Sequence, residues 1–260
     1  MPSYQVLFSG SLECKHRWSN WSSLGTDHSF RRTVSEATAS EMTDYYLDRP
    51  RRTTTQDQSG RQIAQFSFVL GLLWVIASIA LAIAGRGQPA DEQLAVTWFA
   101  LGNHPQSSSP MLLQLLTYPF IHDLGIHLIF SVIGLRNLTQ IGQLCTNLDG
   151  FIRLYVFGTV FGGLAFVRVA EITSLETPLI GATLALHTMI GAFAVFKPNM
   201  TVKLFFLFDV RLVWIAIGIG SIWILLLRGN AAFAAGQLTG LGTGVLYALV
   251  DRFLRGRFGQ

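Results

Sequence analysis

The chain has 260 residues, half of them hydrophobic and only 13% charged, with a formal net charge of +4. Soluble domains carry about 25% charged residues, so the composition excludes an ordinary water-soluble domain and places the chain in a lipid bilayer. The small, scattered positive charge excludes a nucleic-acid-binding face, and two distant cysteines, Cys14 and Cys145, define no disulfide framework or metal cluster.

Residues 1–61 are rich in Ser, Thr, Arg and acidic side chains and read as a flexible cytoplasmic tail. Cys14, His16 and His28 are three candidate zinc ligands, short of the usual four, so no metal is expected there. A signal peptide is not expected either, because no charged stretch leads into an apolar core.

Residues 62–250 read as the membrane domain. From Gln62 to Gly85 no side chain is ionisable, which is long enough for a first span. Arg49, Arg51, Arg52 and Arg61 precede it and place the N-terminus inside. Residues 87–121 mix apolar pieces with prolines and charges, and read as a short interfacial first loop anchored by Trp98 and Phe99.

The second span is expected from about His122 to Gly142. It opens on His122, His127 and Ser131, the last two sharing a helix face. Such groups are either interfacial histidines near water or polar side chains held for a cavity. The third span, Phe151 to Val169, carries Gly158, Gly162 and Gly163, which permit close helix approach. Arg168, Glu171 and Glu176 then mark an outer loop.

The fourth span, Leu179 to Phe196, contains Gly181-Ala182-Thr183 and, one turn later, His187. The Thr183 hydroxyl is either a packing hydrogen bond or the remnant of a nucleophile. His187 is either a satisfied core histidine or a substitute base for Thr183. The fifth span is expected over Leu204 to Leu227, with Asp209 and Arg211 near its start. The last runs from Ala231 to Val250, followed by a basic tail, 251–260. It carries Gly236, Gly240 and Gly244 at four-residue steps, a stripe that lets two backbones approach.

Basic residues concentrate in segments that alternate with the spans, which gives six spans with both termini inside, an all-α polytopic membrane protein. The spans show no paired carboxylates and the chain no internal repeat, which argues against a transporter.

In the order and spacing of these parts, residues 63 to 250 resemble the rhomboid family of intramembrane serine proteases. His122, His127 and Ser131 stand where that family has His-x4-His-x3-Asn. Gly181 to Leu184 stands at its Gly-x-Ser-Gly nucleophile motif. Gly236-Gln237-x-x-Gly240-x-x-x-Gly244 stands at its Ala-His-x-x-Gly-x-x-x-Gly motif, and Lys203 to Trp214 is similar to its fifth-span entry. The resemblance implies a six-helix bundle, with Thr183 at the nucleophile position and Gln237 at the base position. It implies an oxyanion side made by His127 and Ser131, and a pocket lined by His122, Leu184 and His187.

The departures fall on the chemistry. A glutamine amide neither takes a proton near neutral pH nor returns one to a leaving amine. Ser131 is a shorter donor than asparagine, Leu184 replaces a glycine, and Leu113-Gln114 replaces a Trp-Arg pair. The implied protein is a cofactor-free pseudoprotease that binds transmembrane client helices between the second and fifth spans. The alternatives are a protease using Thr183, or a structural subunit of a membrane complex. The default location is a bacterial cytoplasmic membrane, with eukaryotic secretory membranes as the other option.

Overall fold

The computed structural model describes residues 54–84, 98–102, 110–175, 177–204 and 208–258. They belong to one unit, Arg52–Gln260. The expectations for residues 1–53, including Cys14, His16 and His28, lie outside the described residues.

Helix α1 (Thr54–Ala84) starts upstream of its apolar run, with Asp57 in the first turn beside the positive helix end. The helix thus begins seven residues before Arg61, the last residue of the expected tail. One stripe of α1 is buried, Ile63, Ser67, Leu70, Trp74 and Ser78, at helical spacing. Phe68, Val69, Leu72 and Ile76 are exposed. A helix that buries a mixed stripe and exposes large apolar side chains has lipid as its solvent.

The first loop contributes α2 (Met111–Thr117) and a 3-10 turn, Tyr118–Phe120. Helix α3 follows (Ile126–Cys145). It begins later than expected because Gly125 has φ +136, a conformation open to glycine that ends the turn before the helix. His122 consequently lies in the linker and not on the span.

Helices α4 (Leu148–Phe157) and α5 (Gly163–Thr173) are joined by a π turn, Gly158–Gly162, into one continuous helix. Arg168 and Glu171, expected in a loop, are helical and paired at 3.2 Å. Helix α6 (Thr183–Phe196) begins at Thr183, four residues after the expected start. Leu179 instead exchanges two backbone hydrogen bonds with Leu101 of the first loop, at 3.0 and 2.7 Å.

A feature absent from the all-α expectation is an antiparallel hairpin, β1 (Thr201–Leu204) and β2 (Phe208–Arg211). Asp209 and Arg211 sit on it, so the next helix, α7 (Leu212–Leu225), starts after them. Helix α8 (Ala231–Phe258) runs through the expected basic tail. Its Arg255 pairs with Asp251 at 2.8 Å, and Arg252 donates to the Phe196 carbonyl at 3.2 Å.

Among the described residues, three helices are long and apolar enough to cross a membrane: α1, the α4–α5 helix and α8. Helix α6, at 14 residues, is about 21 Å long against a hydrocarbon core of about 30 Å. It need not match the bilayer, because it packs against α3, α4, α7 and α8 and is buried along most of its length.

The contact between α6 and α8 is made backbone to backbone. A methyl on Gly240 would lie 2.8 Å from the Leu184 carbonyl oxygen, and one on Gly244 would overlap the Thr188 carbonyl. Gly191 faces the Leu241 carbonyl in the same way. Thr188 Oγ1 donates across this seam to the Gly240 carbonyl at 2.8 Å. Gly242, on another face of α8, has nothing near it. Gly244→Val is expected to lower stability by about 1–3 kcal/mol or more, from overpacking a rigid contact. Gly242→Val should leave the thermal midpoint in detergent unchanged, and equal effects at the two positions would contradict this packing.

Candidate functional site

The site is built on the turn leading into α6. Gly181 has φ +87, and its N–H donates to the Tyr118 carbonyl at 2.9 Å. The bare Gly181 backbone faces the His127 ring, where a methyl would come 2.7 Å from Nε2. A glycine is required here both for its left-handed conformation and for that close approach.

His122 braces the same turn from the linker. Its Nε2 accepts the Ala182 N–H at 3.3 Å, and its own N–H donates to Ser78 Oγ of α1 at 3.1 Å. An accepting Nε2 makes the ring neutral, with its proton on Nδ1. The ring lies between Trp74 and His127, with centroids 5.0 and 5.1 Å away. His122 thus positions the turn, and it ties α1 to the start of α6.

Thr183 is the first residue of α6 and is half-buried. Its hydroxyl has no hydrogen-bond partner among the described residues, so the packing bond expected as one option is not made. Thr188 makes that bond instead, to the carbonyls of Leu184 and Gly240. Sequence reasoning passed over Thr188. The available signal was a hydroxyl one turn beyond Leu184, on the helix that the Gly236–Gly244 stripe must face.

Gln237 does not face Thr183 as a partner. Its Oε1 is hydrogen-bonded to His187 Nδ1, and both side chains are buried, at 4% and 8% exposure. The amide oxygen only accepts, so the imidazole carries its proton on Nδ1. The residue at the base position and the residue offered as a substitute base therefore satisfy each other.

Leu184 turns away from Thr183. Its side chain fills the space beside Gly162 and Gly236, in a cluster with Leu101, Leu115, Tyr118 and Phe166. The π turn helps here: it widens the helix at Thr159, whose carbonyl accepts the Tyr118 hydroxyl at 2.9 Å. On the oxyanion side, Ser131 is buried and His127 half-buried, with Asp123 4.0 Å from His127 Nδ1. Leu113 of the first loop is exposed, whereas Gln114 is buried. No group of three or more metal-ligating side chains is present among the described residues.

The arrangement offers a hydroxyl at a helix N-terminus and a histidine held against the preceding glycine. Among the described residues no hydrogen bond joins the Thr183 hydroxyl to a proton acceptor, and attack on a carbonyl needs that proton removed. A family model described as Rhomboid domain matches residues 109–252, more than half of the chain. A search of curated proteins finds no match.

The His187–Gln237 pair has a direct consequence for stability. Gln237→Leu removes the side-chain partner of a buried imidazole N–H, leaving it the Thr183 backbone, and is expected to lower stability by about 1 kcal/mol. Adding His187→Phe should restore most of the loss in thermal unfolding. A neutral single variant would contradict the pairing.

Proposed function

The chain belongs to the rhomboid family, and from that membership we propose a proteolytically inactive member that binds the transmembrane helices of client proteins. The observation that carries this reading is that Gln237, an amide that takes no proton, stands at the base position bonded to His187, while no hydrogen bond joins the Thr183 hydroxyl to either side chain. A client helix that unwinds locally exposes backbone N–H and C=O groups that lipid cannot satisfy. His127, Ser131 and the Thr183 hydroxyl meet those groups at the mouth of α6. Each such bond is worth about 0.6–2 kcal/mol in a membrane, enough for recognition by several together and too little for a permanent complex.

In this reading the membrane domain has six spans, with α3, α6 and α7 completing the three long ones, and both termini inside. A bacterial cytoplasmic membrane is the setting it fits. Helix α7 is the gate: only Leu212 and Gly220 of it are buried, and Trp214, Ile217 and Ile222 are exposed. A helix so lightly attached can move to admit a client at low energetic cost.

The test is fluorescence energy transfer in proteoliposomes, between the full chain and a single-span helix carrying a central Gly-Pro break. Binding is expected, and Thr183→Ala should weaken it severalfold, through loss of one hydrogen bond. His127→Leu should weaken it severalfold, through loss of a donor. Binding no tighter than that of an unbroken polyleucine helix would count against the reading.

A further inference from the structure

Arg136 lies in the middle of α3 and is exposed. Arg153 and Arg255 each hold a carboxylate one turn away, Asp149 at 2.7 Å and Asp251 at 2.8 Å. Arg136 has no carboxylate or hydrogen-bond partner among the described residues. An unpaired cation halfway along a membrane helix is costly unless an anion or water meets it.

Arg136 forms part of the wall of a groove of about 570 Å³ between α1 and α3. On the α3 side it is lined by Arg136, Thr139, Gln140 and Gln143, with Val132 and Leu135, and on the α1 side by Ser67 among apolar residues. Ser67 Oγ is buried with no hydrogen-bond partner, although it borders this space. The apolar α1 wall runs through Ala64, Phe68, Leu72 and Val75, and Gly71 leaves a gap in it where a side chain would stand.

A cation and hydrogen-bonding side chains on α3 facing an apolar wall of α1 match a lipid molecule, its phosphate on the cation and a chain along the wall. A second groove also borders Arg136, on the side of Met200 and Thr201, but it has no comparable apolar slot or unpartnered buried hydroxyl. We propose that the α1–α3 groove is a binding site for an anionic phospholipid. Its phosphate sits on Arg136 and Gln140, Gln143 and Ser67 hydrogen-bond the headgroup, and one acyl chain runs along Gly71, Leu72 and Val75. The site lies away from the turn at Thr183 and does not depend on the reading of that turn.

Native mass spectrometry of the full chain, released from an uncharged detergent, tests this with phosphatidylglycerol and phosphatidylcholine of matched chains. Wild type is expected to prefer phosphatidylglycerol by about fivefold or more, the contribution of one basic side chain near an anionic headgroup. Arg136→Gln should abolish the preference and keep residual binding of both lipids. Gly71→Leu, which fills the slot with ordinary contacts, should weaken both lipids and keep the ratio. Each variant is first matched to wild type in thermal midpoint, and Gly71→Leu serves if Arg136→Gln does not fold. Equal binding of the two lipids by wild type would overturn the proposal, as would a preference that survives Arg136→Gln. Displacement of phosphatidylglycerol by millimolar inorganic phosphate would also overturn it, by showing an anion site without a chain slot.

Discussion

The structure depends on the glycine-lined seam between α6 and α8. Gly240 and Gly244 bring the α8 backbone onto the carbonyls of Leu184 and Thr188, and Gly191 returns the contact from the other side. At that distance no side chain can cushion a slip, so the register of the two helices is fixed to a fraction of a turn. Thr188 then spans the seam with a hydrogen bond to the Gly240 carbonyl, which holds the register with a polar contact unavailable from lipid. The pairing of Gln237 with His187 follows from this, because the seam decides which side chains of the two helices meet.

The same seam separates the fold from the identity of the residues at 183 and 237. The groups that set the geometry of the turn at Thr183 are mostly backbone: the Leu101–Leu179 pair, the Tyr118 carbonyl on Gly181 and the His122 ring on Ala182. None of them requires a serine at 183 or a base at 237. A scaffold of this kind keeps the shape of the turn whatever side chains stand at 183 and 237. Leu184 adds to stability where it packs against Gly162 and Gly236, which gives its large side chain a structural reason.

Much of this was legible in the sequence. The apolar run of α1, the four-residue glycine stripe of α8 and the small residues before Thr183 each carry a physical signal on their own. Gly125 also carried the signal that would have moved His122 off the helix, since a glycine there permits the positive φ that breaks it. The hairpin is readable as well: Thr201 to Leu204 and Phe208 to Arg211 alternate apolar and polar residues, a strand period, but the apolar stretch from Leu204 onward draws the second strand into the expected helix. The His187–Gln237 bond was less accessible. The two residues are fifty positions apart, and each was weighed against Thr183 alone. Only the register of the seam brings them together, and a register between two helices is a tertiary fact.

The central claim is that Thr183 has no base. The most direct measurement is cleavage of a type I single-span substrate in proteoliposomes, comparing the wild-type chain with Thr183→Ala by appearance of the cut fragment. The account predicts that wild type produces no more fragment than Thr183→Ala. Cleavage by wild type that Thr183→Ala abolishes would contradict it, and would make His187, released from Gln237, the first group to test as the base.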